Sequence, residues 1–194
     1  MCHIRYMNKV PLGLRDKPFT FNQALESGLT RRQLKGLVLA GEVEQLARGM
    51  YRAAQADVSE EDQFRVASLR VGKPSAICLV SALAHHHLTD TIPKKTWIMV
   101  PISKRTTARD LKVFRTRNPD WEIGIEERDG YAITSVERTL VDCLMYRTRV
   151  GTRIGVEGLR RALESKQTTL GKVMDMAVKL KSDHRIRPYI EALA

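Results

Sequence analysis

FTFNQALESGLTRRQLKGLVLAGEVEQLARGMYR, residues 19–52, is the stretch that decides the fold of the N-terminal part of this chain. Thr20 and Thr30 each begin a Thr-x-x-Gln pattern. This is a capping-box pattern, in which the threonine and the glutamine satisfy free backbone groups at the start of a helix. Gly28 lies between the two patterns, where a tight turn needs a residue without a Cβ atom. We therefore expect two short helices joined by a turn.

The second of these helices has an apolar side and a basic side. At 100° per residue, Leu34, Leu37 and Val38 fall on one side and three cations fall within one arc on the other. The three cations are Arg31, Arg32 and Lys35. No acidic residue lies on this helix, so we expect it to bury its apolar side chains and to present positive charge outward.

A basic hairpin follows the second helix. Gly41 ends the helix, and two short strands, Val43–Leu46 and Met50–Arg52, flank a turn. Helices and hairpin together predict a winged helix-turn-helix, in which the second helix enters the major groove of DNA and the wing touches the backbone. Side chains predicted to contact bases or phosphates are Arg31, Arg32, Gln33 and Lys35 on the helix and Arg48 in the turn.

The composition favours a polyanionic partner. Of 194 residues, 33 are Lys or Arg and 22 are Asp or Glu, which gives a formal net charge of +11. Between residues 94 and 117, eight cations accompany a single acid, Asp110, and they predict a second basic surface. The eight are Lys94, Lys95, Lys104, Arg105, Arg109, Lys112, Arg115 and Arg117.

The pattern divides the chain into two domains of mixed α/β (α+β) class. Residues 1–56 comprise an arm, Met1–Lys17, and the winged helix-turn-helix; the arm either packs on the winged domain or reaches along DNA. Residues 57–194 predict an α/β domain with a helix over Ser75–Leu88 and another capped by Thr134. The predicted strands of this second domain are Trp97–Val100, Val113–Arg117, Glu122–Glu126 and Tyr131–Thr134.

Two clusters of side chains require a test as metal or catalytic sites. The consecutive histidines His85–His87 point 100° apart on a helix, so they cannot converge on one ion. Asp120 with Glu126–Arg128 is faintly similar to a metal-dependent nuclease core. Arginine stays protonated, however, and is a poor substitute for the lysine that such a core uses. The sequence predicts no enzyme, no metal site and no cofactor.

The cellular location is predicted from what the sequence does not contain. No apolar run approaches the ~20 residues that a membrane span needs, and nothing resembles a signal peptide. The three cysteines show no metal-type spacing. We expect a cytoplasmic protein that has no membrane partner.

Several short segments, in their order and spacing, resemble the AbiEi family, the antitoxins of type IV (abortive-infection) toxin–antitoxin systems. The segments are Gly28–Thr30, Leu46–Tyr51, Ser81–Asp90, Trp97–Pro101, Val136–Asp142 and Arg187–Leu193.

The resemblance implies a DNA-binding autorepressor that binds inverted repeats in its own promoter. It also implies that the C-terminal domain counteracts a nucleotidyltransferase-like toxin encoded in the same operon, with or without direct contact. The residues that the resemblance assigns to DNA are Thr30, Arg31, Arg32, Gln33 and Lys35 on the helix and Arg48 and Tyr51 in the wing. We expect a monomer or a weak dimer that can bind DNA cooperatively.

Two other functions remain open from the sequence. One is a stand-alone winged-helix transcriptional regulator whose C-terminal domain senses a ligand or dimerises. A neighbouring nucleotidyltransferase gene would favour the antitoxin, and its absence would favour this regulator. The other is a DNA-cleaving enzyme directed by the winged helix. Mg²⁺-dependent nicking that is lost on Asp120→Ala would support that enzyme.

Overall fold

The computed structural model describes residues 10–191, which fold into two compact units with the boundary between Arg70 and Val71. Each unit has its own sheet and its own apolar core. The helix Asp62–Val71 belongs to the first unit up to Arg70, whereas the predicted domains, 1–56 and 57–194, assign it to the second. The functional division of the chain stays a prediction.

The first unit is a winged helix-turn-helix. In order, its elements are a 3-10 turn (Leu12–Leu14), β1 (Phe19–Thr20), α1 (Phe21–Glu26), α2 (Arg31–Leu39), β2 (Val43–Ala47), β3 (Met50–Ala53) and α3 (Asp62–Val71). The three strands form an antiparallel sheet in the order β1-β3-β2. The β2–β3 hairpin is the wing, and α2 occupies the position of the recognition helix.

Both predicted capping boxes are present. The hydroxyl oxygen of Thr20 accepts a hydrogen bond from the Gln23 N–H at 3.1 Å, and the backbone N–H of Thr20 donates to the Gln23 side chain at 2.7 Å. The same exchange at the start of α2 joins Thr30 to Gln33. The turn between the helices contains Gly28 at φ +92°, a left-handed conformation that favours glycine.

One apolar core holds the helices against the sheet. Phe19, Leu34 and Leu37 are buried in it, together with Val10 and Leu14 from the segment before β1. The part of the predicted arm from residue 10 onward therefore packs on the winged unit. Residues 1–9 of that arm lie outside the described residues.

The second unit contains a five-stranded mixed sheet in the order β6-β5-β4-β8-β7. The β5–β6 and β4–β8 pairs are parallel, and the β4–β5 and β7–β8 pairs are antiparallel. The strands are β4 (Ala76–Ile77), β5 (Trp97–Pro101), β6 (Lys112–Thr116), β7 (Ile125–Arg128) and β8 (Tyr131–Thr134).

Helices pack around one buried helix in this second unit. They are α4 (Leu79–His85), α5 (Val136–Met145), α6 (Arg147–Val150), α7 (Thr152–Glu164), α8 (Leu170–Lys179) and α9 (Asp183–Glu191). The central one is α5, which packs against α4, α7 and α8. Within residues 10–191, no helix is both long and apolar enough to cross a membrane.

A buried ion pair fixes α5 to the sheet. The Arg138 Nε donates to the Asp142 carboxylate at 2.8 Å, and both side chains are almost fully buried. The Nη1 of Arg138 donates to the carbonyl oxygens of Trp121 and Ile123, and its Nη2 lies 3.7 Å from the sulfur of Met99. The two residues are four apart on one helix, and Arg138 also anchors the segment before β7.

Three predictions for the second unit are wrong. The strand expected over Glu122–Glu126 is β7 at Ile125–Arg128, because residues 121–124 form turns. The expected helix over Ser75–Leu88 begins only at Leu79, because Ala76–Ile77 is strand β4 in the middle of the sheet. The cap of α5 is Ser135, whose hydroxyl accepts from the Arg138 N–H at 3.2 Å. Thr134 is still in β8, so it cannot be the cap. The predicted class, mixed α/β with an N-terminal winged helix-turn-helix, is confirmed.

Candidate nucleic-acid interface

Helix α2 separates the residues that hold it in the fold from those that it presents to solvent. Leu34 and Leu37 are each 2 % exposed in the core of the first unit. Arg31, Arg32 and Lys35 are all exposed. Because α2 carries no acidic residue, its solvent face has a single sign of charge.

A groove of about 560 Å³ lies between α2 and the wing. Three of the predicted DNA-contacting cations line it, Arg31 and Lys35 from α2 and Arg48 from the turn of the wing. The other lining residues are Phe21, Leu34, Val38, Gln45, Gly49 and Tyr51. Two elements that are separate in sequence thus bring three positive charges to one concave surface.

Two residues that line this groove, Arg31 and Tyr51, contact aromatic rings. The guanidinium carbon of Arg31 lies 5.2 Å from the centre of the Phe21 ring, within the range of a cation–π contact. Tyr51 stacks on Phe19 with ring centres 5.9 Å apart and planes 26° apart. The two contacts therefore pair Arg31 and Tyr51, which both line the groove, with aromatic rings of the same unit.

The geometry of the wing presents Arg48 at its tip. Gly49, at φ +74°, allows the chain to reverse directly after Arg48. The pairing of β2 with β3 shifts between Gln45 and Ala47, which is a β-bulge beside the turn. Arg48 is exposed, as a residue that contacts a phosphate must be.

Arg52, the other arginine of the wing, has a structural role. It donates to Glu44 at 2.8 Å and to Asp62 at 3.3 Å, so it joins the wing to the start of α3. The hydrogen bond to Glu44 and the one to Asp62 raise the pKa of Arg52, against the opposing effect of burial. Its charge is balanced within the fold and is less available to DNA than that of Arg48.

Thr30 and Gln33, both predicted to contact DNA, are engaged with each other. The Gln33 side-chain oxygen accepts from the Thr30 N–H and from the Thr30 hydroxyl, both at 2.8 Å. These contacts fix the first turn of α2, from which Arg31 and Arg32 project. Their direct contact with DNA stays a prediction.

The outward face of α2 contains two residues that sequence reasoning missed. Arg32 does not line the groove, and it shares the outward face with Gly36 and Leu39. Leu39 is 79 % exposed. Gly36 and Leu39 are four and seven residues after Arg32, so helical spacing alone places them on the same face. They were missed because the site residues had been chosen mainly by charge.

The predicted second basic surface surrounds the edge strand β6. Seven of its eight cations are exposed, and Lys104 is half-buried, donating to the Gly72 carbonyl at 2.6 Å. Burial lowers the pKa of Lys104. Lys95 donates to the Arg109 carbonyl at 2.8 Å, and the Lys112 ammonium lies 5.2 Å from the Trp97 ring centre. Several of these cations therefore hold loops in place, and a DNA contact by the surface stays a prediction.

The two clusters tested as metal or catalytic sites have structural partners. The Nε2 of His86 is 2.8 Å from the Thr134 carbonyl oxygen, and burial lowers the pKa of His86. Asp120 pairs with Lys181 at 2.7 Å, and Glu126 pairs with Arg128 at 2.7 Å. Among residues 10–191, no three His, Cys, Asp or Glu side chains are arranged to hold a metal ion.

The segment that forms this interface matches a known protein family. Residues 14–54 match the family described as "Transcriptional regulator, AbiEi antitoxin". The matched segment contains α1, α2 and the wing, so the predicted resemblance to AbiEi antitoxins is confirmed there. This AbiEi family is one of transcriptional regulators and antitoxins, not of enzymes.

The whole fold also has a relative among solved structures. The crystal structure of the RV2827C protein from Mycobacterium tuberculosis aligns with 91 % of this chain and 76 % of that chain, at a TM-score of 0.57 and 17 % sequence identity. At this identity the likeness shows a shared fold. No curated protein sequence matches this chain.

Proposed function

We propose that this protein is a DNA-binding transcriptional autorepressor and the antitoxin of a type IV, AbiE-like toxin–antitoxin module. It binds inverted repeats in its own promoter and counteracts a nucleotidyltransferase-like toxin from the same operon. The observation that carries the proposal is the basic groove between α2 and the wing, inside the segment that matches AbiEi regulators.

In the proposed complex, α2 enters the major groove and the α2–wing groove receives the DNA backbone. Arg31, Lys35 and Arg48 line one concave surface, so they suit a backbone phosphate. Arg32 projects beside that groove and suits a base edge, where arginine donates to guanine O6 and N7. The structure of α2 thus supports separate positions for backbone contacts and for base contacts.

The remaining residues of the chain have proposed roles in the antitoxin activity and in assembly. We assign the counteraction of the toxin to residues 57–194, and cytoplasmic location follows from that role. The basic surface around β6 would add backbone contacts or support cooperative binding of a monomer or weak dimer. Lys112 and Arg115 are the exposed cations of that edge strand and are the first residues to test.

The first test is DNA binding measured by fluorescence anisotropy at two salt concentrations. The probes are the protein's own upstream region and a random duplex of equal length. We expect tight binding to an inverted repeat and weak, salt-sensitive binding to the random duplex. Equal affinity for both duplexes would refute the proposed repressor.

Two variants separate base contacts from phosphate contacts. Arg32→Ala should weaken operator binding by about 1–3 kcal/mol and relax sequence preference. Arg48→Ala should weaken binding to both duplexes alike and reduce the salt slope by about one unit. Arg153→Ala, at a side chain that is 94 % exposed on α7, is the matched control and should change neither quantity.

The antitoxin activity has a separate test. The adjacent gene, expressed alone, should arrest growth, and co-expression of this chain from an unrelated promoter should restore it. Arg32→Ala should still restore growth, because the unrelated promoter removes any need for repression. No growth arrest by the adjacent gene would refute the antitoxin role and favour the stand-alone regulator.

A further inference from the structure

The outward face of α2 is more than a set of cations. At 100° per residue, Lys35, Leu39, Arg32 and Gly36 follow one another within an arc of about 100°. All four are exposed, and Leu39 lies between the two cations in this angular order. The face therefore has an apolar side chain between two positive charges, and a bare backbone position beside Arg32.

Neither Leu39 nor Gly36 contributes to the stability of the unit. Leu39 is 79 % exposed, so its side chain gains little from burial in the fold. A Cβ atom built at Gly36 would meet nothing within 4 Å, so packing inside the protein does not require glycine there. Glycine in a helix interior is less stable than alanine. Packing within the described part of the unit therefore explains neither residue.

We propose that this face reads the operator directly, with Leu39 packing on the C5-methyl group of a thymine and Gly36 allowing the helix backbone to approach the base edges. Among the groups displayed in the major groove, the thymine methyl is the apolar one. A duplex is the occupant that fits the charge, because the cations that flank Leu39 have no acidic neighbour on α2. The inference rests on the proposed function, and it adds residues that determine specificity.

The helix geometry also gives a position for that thymine. Arg32 and Leu39 are seven residues apart, which is about 10 Å along a helix with a rise of 1.5 Å per residue. Base pairs are spaced by about 3.4 Å. When α2 lies along the groove, the thymine should therefore be about three base pairs from the base that Arg32 contacts.

The experiment replaces each thymine of the operator in turn by deoxyuridine, which lacks the C5-methyl group and keeps every hydrogen-bonding group. For the wild-type protein, we expect one position in each half-site at which deoxyuridine weakens binding by about fourfold, the change that corresponds to one buried methyl group. Leu39→Ala should bind the thymine operator more weakly and should no longer distinguish deoxyuridine from thymine at that position. Leu12→Ala is the matched control, because Leu12 is 77 % exposed in the same unit but lies outside α2.

Gly36→Ala gives a readout that a purely structural role would not produce. Alanine should raise the melting temperature and yet weaken operator binding, because its methyl group enters the space between helix and bases. Gly171→Ala in α8, where a Cβ also has room, should leave operator binding unchanged.

Each outcome decides the inference. If Leu39→Ala and wild type bind the operator and are equally sensitive to deoxyuridine, the thymine contact of Leu39 is refuted, and the proposed function is unaffected. A change of oligomeric state in Leu39→Ala, without a change in deoxyuridine sensitivity, would assign this face to a protein contact instead. Wild-type protein without preference for the operator would refute the proposed function and, with it, this inference.

Discussion

Replacing Arg138 by methionine removes one partner of a buried ion pair and leaves its aliphatic volume nearly filled. Arg138 is 2 % exposed, and its guanidinium group donates to Asp142 and to the carbonyl oxygens of Trp121 and Ile123. In the Arg138→Met variant, Asp142 stays buried without a counter-charge. The two carbonyl oxygens also lose their donor.

The expected loss of stability is large. Removing one partner of a buried pair costs about 3–5 kcal/mol, because the remaining charge is left uncompensated in a poorly polarisable environment. Each carbonyl that loses its hydrogen bond while buried adds about 1–3 kcal/mol. Since whole domains are stable by only about 5–15 kcal/mol, we expect the second unit to lose about 4 kcal/mol or more, close to its limit.

The assay is urea unfolding of wild type, Arg138→Met, Asp142→Leu and the double variant. If the stranded carboxylate causes most of the loss, the double variant should be more stable than Arg138→Met by about 2 kcal/mol, because a buried ion pair can be replaced by apolar side chains at little cost. A double variant no more stable than Arg138→Met would refute this reasoning. It would shift the cause to the carbonyl oxygens. Arg138→Met within 1 kcal/mol of wild type would refute any anchoring role.

Three further perturbations test other parts of the fold. Gly124→Ala should destabilise the second unit by about 1–3 kcal/mol in thermal unfolding, because the new Cβ would lie 2.8 Å from the Arg138 Cβ at a φ of +73°. His86→Gln should reduce the loss of stability between about pH 7 and 5: burial lowers the pKa of His86, so the unfolded chain binds more protons and stability falls as the pH drops through the ordinary value of 6.5. The exposed His87→Gln is its control, and equal pH slopes in the two variants would contradict the prediction. Thr30→Ala should lower the unfolding free energy of the first unit by about 1 kcal/mol through loss of the capping box, and an unchanged midpoint in urea would contradict it.

Local signals in the sequence predicted the first unit well. The capping boxes at Thr20 and Thr30 each join residues three apart, so the sequence alone is enough to recognise them. The glycine turn at Gly28 and the wing around Arg48 are local in the same way. The first unit is therefore the part of the chain in which the order of residues nearly determines the order of elements.

The sequence was weaker where contacts are distant along the chain. Ala76–Ile77 lies in a continuous apolar run, and periodicity cannot separate a buried strand from a buried helix in such a run. Its neighbours in the sheet, β5 and β8, come later in the chain. The acceptors of Arg138 are 15 and 17 residues away, so the i,i+4 pair was predictable and its anchoring of the sheet was not.

The candidate site shows the same limit. Charge and helical phase identified Arg31, Lys35 and Arg48, but the groove that they share depends on how α2 packs beside the wing. The cation–π contact between Arg31 and Phe21 likewise joins two helices. The exposure of Leu39 was hidden because leucine in an amphipathic helix is expected to be buried.

Helix α2 has nine residues, fewer than the roughly 12–15 that an isolated helix needs to be stable in water. It therefore depends on its capping box and on Leu34 and Leu37, which it buries. Neither set of contacts involves Arg32, Gly36 or Leu39, so the outward face is free of structural demands. If this face reads bases as proposed, substitutions there should change the preferred bases while leaving the unit folded. Substitutions at the cap or the buried leucines instead act on the helix itself, and with it on every DNA contact at once.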